Sequence, residues 1–121
     1  MIKDIVKATI ILVILAQVLS CYNFKEVSCE EAADGVRLDS CNVVVSEFSK
    51  NEYKFYLHGI IPGTNTASTF KKTNYTWGYW FVDKIAKGDT VVKKGGELLF
   101  YIYKKDTVLV FPFECDGKIY E

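Results

Sequence analysis

From about residue 42 onward, apolar and polar side chains alternate with a period of two. Residues 53–61 (YKFYLHGII) place Tyr53, Phe55 and Leu57 against Lys54, Tyr56 and His58, the pattern of a strand with one buried face. The same reading gives strands over 43–48 (VVVSEF), 75–82 (YTWGYWFV), 90–92 (TVV), 97–103 (ELLFYIY) and 107–113 (TVLVFPF). In 75–82, Tyr75, Trp77, Tyr79 and Phe81 would share one face, with Thr76, Gly78, Trp80 and Val82 on the other. Turn chemistry separates the strands: Pro62-Gly63, Lys87-Gly88-Asp89, Lys93-Lys94-Gly95-Gly96, and Lys104-Lys105-Asp106, the last as a hairpin loop. Gly88 is expected at φ > 0, and the Asp89 carboxylate is expected to accept backbone N–H bonds two residues on. Pro112 has no N–H, which places the last strand at an edge or makes it bulged there. Two stretches predict short helices, 25–34 with Ser28 as N-cap and Glu31 three residues on, and a single turn within 82–87. The expected fold is mainly β: a small antiparallel sandwich or partly open barrel in residues 42–121, after an N-terminal signal helix.

The first twenty residues follow a different rule. Residues 1–7 carry Lys3 and Lys7 against a single Asp4, and residues 8–19 (ATIILVILAQVL) contain no charge. A basic start and an apolar core of about twelve residues match a secretory signal peptide, whereas a membrane span needs roughly twenty. A membrane-anchor helix is the alternative. A buried helix would need a polar face that this stretch lacks. Val18-Leu19-Ser20-Cys21 resembles the lipobox of bacterial lipoproteins, with Leu19 bulkier than usual at its position. The resemblance implies that Cys21 receives a diacylglyceryl group and becomes the mature N-terminus. It also implies a domain tethered to a bacterial membrane, the outer membrane favoured, and facing the periplasm or the cell surface. Stable anchoring takes two or more acyl chains, which such processing supplies. The competing reading is ordinary cleavage near Ser20, which leaves Cys21 for a disulfide. Residues 21–41 then form an acidic tether segment.

Composition sharpens the picture once the chain is divided at Cys21. The full chain has 121 residues with 15 basic and 15 acidic side chains, and half of it is apolar, which excludes a disordered chain. Its balanced charge gives no footprint for nucleic acid. All 18 aromatic residues (8 Phe, 8 Tyr, 2 Trp) lie beyond residue 20. Charge is segregated: 22–41 is net −3, 47–105 is net +5, and 106–121 is net −3.

With Cys21 lipidated, Cys29, Cys41 and Cys115 remain, and an oxidising compartment predicts one disulfide and one free thiol. Cys29–Cys41 would close a short loop, and Cys41–Cys115 would pin the first strand to the C-terminal segment. With Cys21 unmodified, four cysteines allow two disulfides in three connectivities. No cysteine spacing matches a zinc site, and His58 is the only histidine, so neither a metal, nor a cofactor, nor a catalytic triad is expected. The chain reads as a non-enzyme.

Two surfaces remain as candidates for binding. One is the aromatic run with Trp77 and Trp80 and the polar loop 62–74, which includes Phe70, Lys71 and Lys72; such a surface suits a glycan or lipid. Alternation would send Trp77 and Trp80 to opposite faces, so core packing is the competing account. The other is a basic patch of Lys71, Lys72, Lys93, Lys94, Lys104 and Lys105 for anionic headgroups or an acidic partner. Turn lysines that protect strand edges are its plainer explanation.

Residues 80–113 (WFVDKIAKGDTVVKKGGELLFYIYKKDTVLVFPF) resemble a C-terminal segment of small uncharacterised envelope lipoproteins of the Bacteroidota, through Gly88, Asp89, Thr90, Val91, Val92 and Lys93. The resemblance implies an envelope lipoprotein with no assigned activity, whose partner is an envelope protein or polymer. The stretch is also similar to the end of phosphatidylserine decarboxylases. It has Lys105-Asp106-Thr107 where that family self-cleaves before a Ser, so no activity carries over.

Overall fold

The computed structural model describes residues 27–49, 51 and 53–121, together with 3, 5–7 and 9–11. Residues 3, 5–7 and 9–11 are helical and exposed, while the lipobox and Cys21 lie outside the described residues. Among the described residues no helix is long and apolar enough to cross a membrane.

The protein is mainly β. After helix α1 (Cys29–Arg37) come β1 (Cys41–Ser49), β2 (Lys54–Ile60) and β3 (Ala67–Thr73). A crossover holds the short helix α2 (Thr76–Tyr79) and a 3₁₀ turn (Val82–Lys84). It leads to β4 (Thr90–Lys93), β5 (Leu99–Tyr103), β6 (Val108–Cys115) and β7 (Lys118–Tyr120). The strands form one antiparallel sheet in the order β3-β2-β1-β4-β5-β6-β7, two meanders growing outward from β1.

The sheet is curled. Neighbouring strands lie about 4.8 Å apart, so a flat sheet would hold β3 and β5 roughly 19 Å from each other. The rings of Phe70 on β3 and Phe100 on β5 nevertheless meet with centroids 6.0 Å apart. The bend is built where β1 and β2 cross: the register slips between Val45 and Glu47, a bulge, directly beside Gly59. A Cβ at Gly59 would lie 1.7 Å from the Val44 carbonyl oxygen, so only glycine permits this approach. The sheet does not close, in keeping with the expected partly open barrel.

Inward positions alternate as the pattern predicts: Val43 and Val45 on β1, Phe55 and Leu57 on β2, Val91 on β4, and Phe100 and Ile102 on β5 are all buried. The concave face is then filled by the crossover, which corrects the expected strand at 75–82. Tyr75, Trp77, Phe81, Val82 and Ile85 are buried from a helical path rather than a strand. Their spacing satisfies both periods, and the concave face of a curled sheet rewards the compact one. Asn74 enters the crossover at φ 53, a conformation asparagine tolerates. Gly78 lies against the Phe55 ring, where a Cβ would come within 2.3 Å of Cδ2.

Three further expectations change. The loop expected over 62–74 ends early, because residues 67–73 pair with β2 along their whole length. Its polar sequence hid the strand, since Phe70 is the one buried residue on an inward face that it shares with Ser68 and Lys72. β7 was unforeseen, yet it follows from Asp116-Gly117, both at positive φ (52 and 76), the geometry of a type I′ hairpin turn. The carboxylate of Asp89 accepts from the Ala86 N–H three residues back, not from a residue further on, while Gly88 takes the expected positive φ of 92.

Other local expectations hold. The Ser28 side chain caps α1 by accepting from the Glu31 N–H, and a 3₁₀ turn forms within 82–87. The 104–106 hairpin joins β5 to β6. By contrast, the strand carrying Pro112 is not an edge, since β6 pairs with both β5 and β7; Pro112 is accommodated because it lies opposite Leu99 and the β7 ladder begins only at Phe113, one residue beyond it.

Candidate functional site

Chemistry-bearing groups gather where α1 ends against the sheet. Lys93 ends β4 facing inward and is 1% exposed. Its ammonium donates to the main-chain oxygens of Arg37 (2.9 Å), Asp39 (2.7 Å) and Lys94 (3.4 Å). Arg37 is the last residue of α1, so the lysine satisfies a carbonyl that the helix leaves open and sits at the negative end of its dipole. Burial pulls the Lys93 ammonium below its ordinary pKa; Asp39 and then Glu97 oppose the shift, and Arg37 adds to it. The expectation of a solvated turn lysine fails here, because the carbonyls at the end of α1 recruit it inward.

Cys41 pairs with Lys93 across β1 and β4 and is the free cysteine among the described residues. Its thiol donates to the Val91 carbonyl at 3.8 Å, and burial pushes it up to about 12 against the opposing charge of Lys93. Tyr75 lies beside it on the core side, its hydroxyl pushed up by burial first and then by Asp39 and Cys41. Tyr75 Oη and Trp77 Nε1 are buried with no hydrogen-bond partner among the described residues. Asp39 accepts a 2.8 Å ion pair from Lys72, which spans from the edge strand to the α1–β1 connection. A hollow of about 450 Å³, lined by Cys41, Ser68, Thr69, Phe70 and Lys93 among others, opens over this cluster.

The cluster is built for cohesion. A thiol near 12 is protonated at neutral pH and is no nucleophile. The lysine is committed to three carbonyls. His58 faces outward from β2, with Nδ1 2.6 Å from Thr69 Oγ1 and its ring stacked on Tyr56, while Cys41 faces the core.

The disulfide joins Cys29 to Cys115, a pairing that corrects both expected ones. Cys41 points into the core, whereas α1 lays Cys29 beside the end of β6. Arg37 adds a second tie, donating to the Glu121 main-chain oxygen at 3.0 Å. Asp116 stands with Cys29 and Cys115, but the two sulfurs are bonded to each other and offer no thiolate to a metal.

The candidate binding surfaces are dispersed. Trp77 and Phe70 are core residues, which removes them from any surface, while Trp80 is 63% exposed and Lys71 is exposed on β3. The basic patch breaks up as well: Lys72 pairs with Asp39, Lys93 is buried, and Lys104 pairs with Asp89. A separate shallow hollow of about 550 Å³ is lined by Tyr53, Asn74, Thr76 and Tyr79.

The outer face of β5 and β6 carries a feature that sequence reasoning missed. Cross-strand pairs Leu99–Pro112, Tyr101–Val110 and Tyr103–Val108 are all apolar or aromatic, and Tyr103, Val108 and Val110 are between 42% and 47% exposed. The signal was the unbroken run VLVFPF at 108–113, the pattern of a strand covered on both faces.

No family model, no curated protein and no solved structure matches this chain.

Proposed function

We propose that this protein is a lipid-anchored component of a bacterial cell envelope, held at the membrane through Cys21. Its folded domain acts by contact with another envelope protein or polymer rather than by catalysis. The reading rests first on the lipobox-like Val18-Leu19-Ser20-Cys21 and on the likeness of residues 80–113 to Bacteroidota lipoproteins.

The observation that carries it furthest is the cysteine pairing. Cys29 is bonded to Cys115 and Cys41 is sealed in the core, so Cys21 has no thiol in the folded domain to pair with. A disulfide also suits an oxidising compartment outside the cytoplasm. The non-catalytic part is supported by the state of the two buried groups nearest to chemistry: Cys41 is protonated and Lys93 is tied to main-chain oxygens. Radiolabelled palmitate should enter the wild-type chain and not Cys21→Ala. Label that never enters, or that enters both equally, sinks the anchor.

A small ligand-binding module is the second reading. It is favoured by the hollow between Tyr53 and Tyr79, in which two aromatic rings and the Asn74 and Thr76 side chains suit a sugar. Fluorescence of the exposed Trp80 against a glycan panel tests it, and an unchanged spectrum across the panel ends it.

A further inference from the structure

The outer face of β5 and β6 breaks the usual rule for a sheet with one solvated side. On the other wing the outward pairs Lys54–Thr73, Tyr56–Lys71 and His58–Thr69 are mixed and polar as a wet face should be, and only Ile60–Ala67 at its end is apolar. On β5 and β6 the outward pairs are Leu99–Pro112, Tyr101–Val110 and Tyr103–Val108, and Val92 on β4 lies opposite Tyr101. Tyr101 and Tyr103 stack with centroids 6.2 Å apart. Past Pro112 the band reaches Ile119, 51% exposed, across a hollow of about 390 Å³ lined by Leu98, Leu99, Pro112, Ile119 and Tyr120 among others. The apolar strip from Val108 to Pro112, with tyrosines along it, is bordered by Glu114 and by Glu97, whose carboxylate accepts from the Tyr101 hydroxyl at 3.5 Å; a strip of this kind belongs against a partly wet, partly apolar phase.

The chain itself indicates which phase. The Cys29–Cys115 bond, with Cα atoms 5.7 Å apart, fixes the start of the folded domain to the end of β6. There Glu114 pairs with Ile119 at one end of the band. Cys21 precedes Cys29 by eight residues, which span at most about 29 Å when fully extended. The band runs along β6 from Cys115 back to Val108, about 23 Å. A lipid on Cys21 therefore lies no more than about 29 Å from the Cys29 end of the band, and the tether is long enough to follow the band along its whole length.

We propose that the outer face formed by Leu99, Tyr101, Tyr103, Val108, Val110 and Ile119 rests on the bilayer beside the lipid anchor, its side chains at the headgroup–acyl boundary. The inference rests on the reading that Cys21 is lipidated. The acyl chains on Cys21 supply the anchoring, and apolar side chains seated at that boundary add to it by burying apolar area. Seating also orients the domain, leaving the β2–β3 wing turned away from the membrane and free for a partner.

The test uses the full lipidated chain in phosphatidylethanolamine–phosphatidylglycerol vesicles that contain a phospholipid brominated on its acyl chains. One tryptophan reporter is introduced as Tyr103→Trp and another as Lys71→Trp, both in a Trp80→Phe background. The reporter on β5 should lose its emission to the brominated lipid above the constant background of buried Trp77, and the reporter on β3 should be unaffected. Adding Val110→Glu should abolish the quenching while palmitate still enters and the Cys29–Cys115 bond still forms on a non-reducing gel. Palmitate incorporated with equal, absent quenching at both positions overturns the seating alone. A band covered instead by a second copy, seen as a dimer with no quenching, overturns it too. Absence of palmitate overturns the anchor and the seating together.

Discussion

The ammonium of Lys93 lies 2.7 Å from the main-chain oxygen of Asp39, and with Arg37 and Lys94 it ties the end of α1 to the last residue of β4. A buried cation is tolerated here because all three of its donors find main-chain oxygens, two of which, Arg37 and Lys94, also accept from the Gly96 and Glu97 N–H groups. Lys93→Met keeps the length of the stem and removes the donor. It should cost about 2–4 kcal/mol in urea unfolding, and Lys93→Arg should not rescue it, because the planar guanidinium does not fit three converging carbonyls.

Alkaline stability follows from the same corner. Cys41 is raised from 9.0 to about 12 by burial, so above pH 9 the unfolded chain loses its thiol proton while the folded chain keeps it. Folding stability from this group is fully present below pH 9 and is lost as pH rises through 9 toward 12. Tyr75, also raised, acts in the same direction above pH 10. Lys93 acts oppositely: its lowered pKa makes the folded chain release its proton first, so its contribution improves as pH rises toward 10.5. Cys41→Ala should flatten the fall in stability above pH 9, measured by thermal unfolding at a series of pH values. An unchanged slope would remove Cys41 from the account.

The sealed thiol makes a chemical prediction. In the native protein iodoacetamide should leave Cys29, Cys41 and Cys115 unlabelled at pH 7.5, and unfolding without reductant should expose one of the three, Cys41, as a reactive thiol by mass. Rapid native labelling at Cys41 would mean that the core around it opens readily.

Removing the disulfide should be costly. Cys29 and Cys115 are 86 residues apart, and closing a loop of that length restrains the unfolded chain by roughly 4–5 kcal/mol on chain-entropy reasoning. Cys115→Ser should lower the urea midpoint accordingly. It should also free α1 first, because the helix would then be held by the bonds at Arg37 and by the packing of Ala32, Ala33 and Val36 alone.

Two glycines test the curl of the sheet. Gly78→Ala forces a methyl into the Phe55 ring, which is hemmed in by Phe70, Tyr75, Phe81 and Phe100, and should cost about 3 kcal/mol, the upper end for overpacking a core. Gly59→Ala meets the Val44 backbone, which cannot move without breaking the β1–β2 bulge. It should be the more severe of the two, measured as loss of soluble protein or of the cooperative unfolding transition.

Much of the local structure was legible in the sequence because it depends on neighbours along the chain. Ser28 with Glu31 marked the start of a helix, and period two marked the inward residues of β1, β2 and β5. Gly88 marked a positive-φ turn, and Asp116-Gly117 carried the signal for β7 even though it went unread. The aromatic run at 75–82 was ambiguous by the same logic, since its spacing suits a strand and a helical turn alike.

Only the tertiary structure decided what depends on approach across the chain. The partner of Cys29 was set by where α1 docks against β6, and the burial of Lys93 by the carbonyls that α1 brings to the end of β4. Phe70 looked like the lone apolar residue of a polar loop until a bulge and Gly59 curled its strand over Phe100. The sequence by itself determined a β-rich domain, because backbone preference and side-chain alternation are local. Which groups are sealed, paired or left facing outward is a property of the curled sheet, because burial and pairing exist only once distant segments meet.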